Sequence, residues 1–259
     1  MYKLIQGDCL EKMQNIPDGS VNMILCDLPY GQTARNKWDS VLPFDLLWKE
    51  YSRIISDNGA IILFANGMFT ADLMNSQKKL WRYNLIWEKT QPTGHLNAHK
   101  MPLRSHEDIC VFYKKLPTYN PQKTFGHERK VSKAVHKRNS KLSDDYNEYG
   151  LTSYDSTERF PKSVLNFPED CMSTIITFSK DIQKSALHPT QKPVALLEYL
   201  IKTYSNEHDV VLDNCFGSCS TGIACLNTNR DFIGIEKDND YFKLGEQRMK
   251  ETEAEVKYE

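Results

Sequence analysis

Short apolar runs alternate with amphipathic stretches at both ends of this 259-residue chain, and a long polar segment without that rhythm separates them. Tyr2–Gln6 precedes an amphipathic stretch over residues 9–15 and then the apolar run Val21–Cys26, which is β-α-β order. Phe44, Leu47, Trp48, Tyr51 and Ile54 fall at helical spacing, and the turn Asp57-Asn58-Gly59 leads into an apolar run over 60–64. The spacing further predicts a helix over 70–80 and strands over 83–87 and 108–113. Regularity returns after Leu187, with a helix over 193–204, a strand Val210–Asp213, a glycine-containing turn, a helix to Asn227, a strand over 232–236 and a helix over 239–251. Strands interleaved with helices predict an α/β fold, a mostly parallel sheet with helices on both faces. Residues 1–113 and 183–259 read as two halves of one domain, and 114–182 as an insertion.

Lys and Arg number 33 against 34 Asp and Glu, so the net charge of −1 gives no global sign of a polyanionic partner, and any nucleic-acid surface must be local. The seven cysteines are scattered without a C-x-x-C pair, which argues against a disulfide framework or a zinc site and fits a reducing cytoplasm. The opening MYKLIQGDCLEKM lacks the basic end and apolar run of a signal peptide, and no apolar stretch reaches the ~20 residues that cross a bilayer. The expectation is a soluble protein with no membrane partner and no bound metal.

Val210–Asp213 runs into Asn214-Cys215-Phe216-Gly217-Ser218-Cys219-Ser220-Thr221-Gly222 and then an apolar helix. Such a strand–turn–helix lets backbone N–H groups approach a ligand closely, because glycine has no Cβ to block contact. Glu236 ends the next strand, where an acid commonly holds a ribose diol. The turn lacks the G-x-G-x-x-G spacing that receives a pyrophosphate, so a ligand without phosphate fits better than NAD.

Val21–Cys26 ends in Asp27-Leu28-Pro29-Tyr30 and Gly31. An exocyclic base amine is a poor nucleophile because its lone pair is delocalised into the ring. Two acceptors on its hydrogens favour the pyramidal form that attacks. Asp27 supplies one and the Pro29 carbonyl a second, while Tyr30 offers a face for a planar base. With an activated methyl donor, what remains is alignment and electrostatic preorganisation.

Asp27-Leu28-Pro29-Tyr30 resembles the D-P-P-Y motif of amino-group DNA methyltransferases, and Leu212 to Gly222 resembles their D-P-F-x-G-S-G-T-T motif. His188-Pro189-Thr190-Gln191-Lys192-Pro193 is similar to that family's H-P-x-Q-K-P segment, and the motif order resembles its permuted β group. The resemblance implies a Rossmann-like fold, S-adenosyl-L-methionine as cofactor and a catalytic set of Asp27, Leu28, Pro29 and Tyr30. It places Asp213, Gly217 and Ser218 at the methionine end of the cofactor, Glu236 at the ribose, Asp8 at the adenine edge and Lys192 on the carboxylate. It implies Cys9, Asp27, His188, Thr190, Cys215, Phe216 and Lys237 as further cofactor-binding residues. Asp8 also reads as a helix N-cap.

Four departures stand out. Leu28 replaces a proline, Asn214 and Cys215 stand where the pattern has Pro and Phe, and Cys219 stands where it has Gly. A cysteine at a position needing positive φ is strained, which bears on cofactor affinity.

Chemistry on a paired base requires the nucleotide to be rotated out of the stack, so something must hold the strand. Between Lys114 and Lys141 nine cations face the single acid Glu128, a local +8. Lys123, Arg129, Lys130, Lys133, Lys137 and Arg138 are the expected phosphate contacts, against the plainer reading of a solvated loop. Residues 90–97 follow a predicted strand at the edge of the catalytic loop and are expected to cover it. The expected function is site-specific methylation of adenine N6 in DNA, with cytosine N4 methylation and a non-catalytic DNA-binding scaffold as alternatives. By the same resemblance the protein is cytoplasmic, bacterial or phage-encoded, and its partners besides DNA extend to a homodimer and a cognate restriction endonuclease encoded elsewhere.

Overall fold

The computed structural model describes residues 1–31, 40–133, 153–166 and 191–256. These form two compact units, Met1–Asn120 with Ser163–Glu259, and Pro121–Lys162. The strands are β1 (Tyr2–Gln6), β2 (Val21–Cys26), β3 (Ile55–Ala65), β4 (Trp81–Thr93), β5 (Arg104–Phe112), β6 (Lys130–Lys133), β7 (Ser153–Ser156), β8 (Val164–Asn166), β9 (Val210–Asp213) and β10 (Asp231–Glu236). The helices are α1 (Cys9–Lys12), α2 (Phe44–Ile54), α3 (Met68–Ser76), α4 (Val194–Tyr204), α5 (Ser220–Asn227) and α6 (Asn239–Val256).

In the larger unit the described strands form one sheet of order β1-β10-β9-β2-β3-β5-β4-β8. Every pairing is parallel except those of β5, which runs antiparallel to both β3 and β4. The apolar runs legible in the sequence become strands because both faces are covered. Ile24, Cys26, Ile61, Leu63 and Phe112 pack with α2 and α3 residues Leu47, Trp48, Tyr51, Ile54, Phe69 and Leu73. Met23, Leu25, Ile62, Ile109 and Val211 pack with α4, α5 and α6 residues including Leu197, Leu200, Ile223 and Met249. Each fully buried Leu, Ile or Met side chain contributes about 2 kcal/mol of hydrophobic stabilisation.

The segment Asp57-Asn58-Gly59 does not break the strand. The chain stays extended from Ile55, and the β2 register jumps between Val21↔Ile55 and Met23↔Ala60, a bulge that absorbs the extra residues. A Cβ on Gly59 would lie 2.8 Å from the Asn22 carbonyl oxygen, so glycine belongs there. Strand β4 runs well beyond the predicted 83–87, and α3 begins and ends earlier than the predicted 70–80.

β2 leads through α2 to β3 on one side of the sheet, and β9 leads through α5 to β10 on the other. The chain therefore diverges between the adjacent strands β2 and β9, held in register by Ile24↔Leu212. Outside the carboxyl ends of such a pair lies the crevice where open α/β sheets bind ligands.

The smaller unit contains the antiparallel pair β6 and β7, in register from Lys130↔Ser156 to Lys133↔Ser153, and a Thr124↔Arg159 bridge. Its N-terminal boundary lies past Asn120, so residues 114–120, expected in the insertion, belong to the larger unit. Asn120 is tied down there by its N–H to the Thr203 carbonyl at 2.8 Å and its side chain to the Lys202 and Ser205 carbonyls. The chain re-enters at Ser163, whose carbonyl accepts the Ile86 N–H at 2.8 Å just before β8 pairs with β4. Among the described residues no helix is long and apolar enough to cross a membrane.

Candidate active site

Four parallel strands deliver carboxylates to one edge of the sheet. β1 is followed by Asp8, β2 by Asp27, β9 ends in Asp213 and β10 in Glu236. Adjacent β2 and β9 bring the catalytic tetrapeptide and the glycine turn to the same crevice, and the negative charge of Asp27 reaches Asp213.

Asp213 is buried and accepts hydrogen bonds from Thr221 Oγ1 at 2.7 Å and the Cys215 N–H at 3.1 Å. Burial nonetheless raises its pKa to about 6. Glu236 accepts the Gly217 N–H on Oε2 at 2.9 Å and the Asp238 N–H on Oε1 at 2.8 Å, with the Lys237 N–H as a further backbone donor, so acceptor capacity remains on the carboxylate. Burial holds its carboxyl above the usual range. Gly217 has φ 51°, the left-handed conformation that lets its N–H turn toward Glu236.

Asp8 caps α1 by accepting the Leu10 N–H at 3.0 Å, and Lys237 Nζ stands 3.0 Å from its other oxygen. Although burial opposes it, the Lys237 ammonium with the Leu10 N–H lowers the Asp8 pKa. The N-cap reading and the pocket-edge reading of Asp8 are thus compatible, since one oxygen serves the helix. Phe216 is buried against Phe242, its centroid 6.0 Å away, so its ring belongs to the core. Ser218 is buried, with its hydroxyl 3.4 Å from that of Ser220.

The residues that replace the family pattern form their own network. Tyr51 on α2 donates its hydroxyl to Asn214 Oδ1, and Asn214 Nδ2 donates to Cys215 Sγ at 3.5 Å. Cys215 interacts with the thiols of both Cys9 and Cys26. Burial pushes Cys26 up to about 12. The hydrogen bond with Cys215 together with burial pushes Cys9 further. Cys219 has φ 62° and ψ 31°, the strained left-handed conformation anticipated from the sequence. Its side chain is fully buried in space left by two glycines. A Cβ on Gly222 would stand 2.7 Å from Cys219 Sγ, and one on Gly245 3.0 Å from Cys219 Cβ.

In the catalytic loop, Leu28 is buried in the core and Tyr30 packs on Phe69 with centroids 4.8 Å apart. Asp27 is bonded through both oxygens, with Tyr30 Oη at 2.6 Å from Oδ1 and Lys192 Nζ at 2.6 Å from Oδ2. Lys192, expected at the cofactor's carboxylate, is engaged instead by protein. Its ammonium also lies 3.2 Å from Glu107 Oε2 and 5.0 Å from the Phe64 ring centroid. Burial alone would depress the Lys192 pKa, and the two carboxylates more than offset it. Glu107 continues outward to Lys89 Nζ at 2.5 Å. Sequence reading missed Glu107, although period-2 alternation sets it on the face of β5 that carries buried Ile109 and Val111. It also missed Arg248, which reaches from α6 to the Ser218 carbonyl behind the glycine turn.

The β4–β5 hairpin runs past the carboxyl end of β3, because Ala65 is level with Asp108 and Asp108 with Ile86. Residues 90–97 therefore rise from the catalytic edge, and His95 there bonds the Pro92 carbonyl at 3.1 Å. In the smaller unit Arg129 forms a two-pronged pair with Asp155 at 2.7 Å for each bond, and Lys123 pairs with Glu158 at 2.9 Å. Lys130 is exposed and Lys133 ends β6. His188, Thr190, Lys137 and Arg138 lie outside the described residues.

The donor set suits a hydroxylated cation better than a phosphate ester. Carboxylates ring the crevice, and its two lysines are already paired with acids. The family model for N6/N4 DNA methylases matches residues 21–247. The chain belongs to that family. This methylase is 28% identical over 257 residues to the DNA adenine methyltransferase YhdJ of Escherichia coli strain K12, covering 95% of this chain and 82% of that one. It is 26% identical over 277 residues to the type II methyltransferase M.HinfI of Haemophilus influenzae, covering 96% and 68%. Its fold matches the M1.HpyAVI–SAM complex with a TM-score of 0.59 at 23% identity, covering 96% of this chain and all of that one. The cytosine-N4-specific PvuII DNA methyltransferase matches with a TM-score of 0.64 at 12% identity, covering 98% and 92%. As a DNA methylase it draws its methyl group from S-adenosylmethionine, a sulfonium ribonucleoside whose charge and diol fit this edge.

Proposed function

We propose that this methylase acts on N6 of an adenine rotated out of the duplex. The observation that carries the reading is the setting of Asp27, at the carboxyl end of β2 beside Asp213 of β9, with Tyr30 next to it against Phe69. Asp27 and the Pro29 carbonyl accept the amine's hydrogens and direct its lone pair, and the Tyr30 ring carries the base. Glu236 holds the donor's ribose, while Asp213 and the turn around Gly217 hold its amino-acid end. The donor would supply an electrophilic methyl on a sulfonium, with the C–S electron pair staying on sulfur and the methylated amine giving up one proton, so the chain's own task is alignment and stabilisation of positive charge growing on nitrogen. The name of the relative YhdJ favours adenine.

Exposed Lys130 favours contact of the smaller unit with the phosphate backbone, and Lys133, Lys137 and Arg138 extend the same basic stretch of sequence. The relatives named as type II methyltransferases favour a modification role beside a restriction endonuclease in a bacterial cytoplasm. Transfer of tritiated methyl groups to mixed-sequence DNA, followed by nucleoside analysis, is the test. N6-methyladenine is expected from the wild type and none from Asp27→Ala. Appearance of N4-methylcytosine would reverse the choice of base, and absence of transfer would favour a non-catalytic DNA-binding scaffold.

A further inference from the structure

Lys192 presents a physical problem. An amine that gains positive charge during methylation is stabilised by the field of a nearby carboxylate, yet the fold sets a buried ammonium 2.6 Å from Asp27 Oδ2. Alone, that ammonium would cancel much of the field Asp27 exerts. The structure does not leave it alone. Glu107 lies 3.2 Å from Lys192 Nζ on strand β5, the antiparallel strand of the main sheet, and is itself buried. Lys89, at 2.5 Å from Glu107 Oε1 and nearer solvent, closes the series. The charges alternate outward from the catalytic acid as minus, plus, minus, plus, and in such a row each member partly undoes the effect of the one before it.

We propose that Glu107 is a positioning residue for methyl transfer. It offsets part of the Lys192 field at Asp27 and helps fix the Lys192 side chain so that Asp27 keeps one orientation. A hydrogen bond to Asp27, an ion pair with Glu107 and the Phe64 ring surround the ammonium and restrict its rotamer. Lys192 consumes Asp27 Oδ2 and Tyr30 steadies Oδ1, so the carboxylate plane is set before the base arrives. On this assignment Lys192 belongs to the acid, and the donor's carboxylate is held elsewhere.

The inference rests on the methyl-transfer reading, and transfer by the wild type is the control that tests that reading separately. Glu107→Gln, Glu107→Asp, Lys192→Met and the double variant Lys192→Met/Glu107→Gln are compared by single-turnover methyl transfer on DNA and by calorimetric titration with S-adenosylmethionine. Glu107→Gln is expected to slow transfer by about tenfold or more while affinity for S-adenosylmethionine stays within about twofold. Glu107→Asp, which keeps the charge, is expected to recover most of the rate. The double variant is expected to lose less than the product of the two single losses, because Glu107 acts through Lys192. An unchanged rate in Glu107→Gln, an equal loss in Glu107→Asp, or strictly multiplicative losses would overturn the proposal. Weaker donor binding by Lys192→Met with an unchanged transfer rate would also overturn it and return Lys192 to the donor's carboxylate.

Discussion

Tyr30 Oη stands 2.6 Å from Asp27 Oδ1, so the side chain that offers a stacking face also steadies the catalytic acid. The two roles separate by substitution. Tyr30→Phe keeps the ring on Phe69 and loses a hydrogen bond to a charged acceptor, about 1.5–3 kcal/mol where fully desolvated and less at this partly open site. A fall in kcat/KM of about tenfold or less is expected. Tyr30→Ala also removes a base-stacking surface of about 1–3 kcal/mol, for a loss of about a hundredfold. Tritiated methyl transfer measures both, and equal losses in the two variants would refute the stacking role.

Asp213 gives the enzyme a pH dependence below neutrality. Burial lifts its pKa to about 6, so the folded protein binds a proton there that the unfolded chain, at about 3.9, releases. Its contribution to stability is present below about pH 4 and is lost as pH rises toward about 6. Donor binding runs the opposite way, because the cation needs the ionised carboxylate. Affinity for S-adenosylmethionine is expected to weaken by about tenfold between about pH 7 and about pH 5, and Asp213→Asn to flatten the curve. Calorimetric titration across that range decides, and a flat wild-type curve would remove Asp213 from the donor site.

Cys219 couples to its glycine neighbours. Gly222→Ala would bring a methyl within 2.7 Å of both Cys219 Sγ and Met249 Sδ. Overpacking of this kind costs about 1–3 kcal/mol. Cys219→Gly relieves the left-handed strain of about 1–2 kcal/mol and clears one of the clashes. The double variant Cys219→Gly/Gly222→Ala is therefore expected to be more stable in urea denaturation than the sum of the single changes. Additive losses would mean that the two positions do not share that space.

The thiols should resist alkylation. Cys215 is only partly covered, yet interaction with the Cys26 thiol and desolvation of its own sulfur push its pKa far up. Only the thiolate is nucleophilic. Iodoacetamide at about pH 7.5 is expected to leave Cys9, Cys26 and Cys215 unmodified in the folded protein and to label them after unfolding, as read by peptide mass mapping. Rapid labelling of folded Cys215 would show that the thiol network is not closed.

Much of the frame was legible because β2, β9 and β10 are buried on both faces and so appear as unbroken apolar runs. The outer half of β4 was not, since residues beyond Trp87 are largely exposed and carry no alternation to read. Strand β8 is three residues long and owes its existence to the neighbouring edge of β4. The bulge at Asp57-Asn58-Gly59 shows turn residues serving inside a strand. At the site, Asp27, Tyr30, Asp213, Gly217 and Glu236 stand in local motifs that a sequence displays directly. Glu107 and Arg248 act through partners far along the chain, which only the folded arrangement of β5 and α6 brings near. Lys192 was legible as a functional residue, and its partner was not.

Asn120 and Ser163 are both fastened by backbone hydrogen bonds to the main sheet and its α4 cover. Whatever lies between two such moorings can be lengthened, shortened or rewritten over generations without tugging on the strands that carry the chemistry.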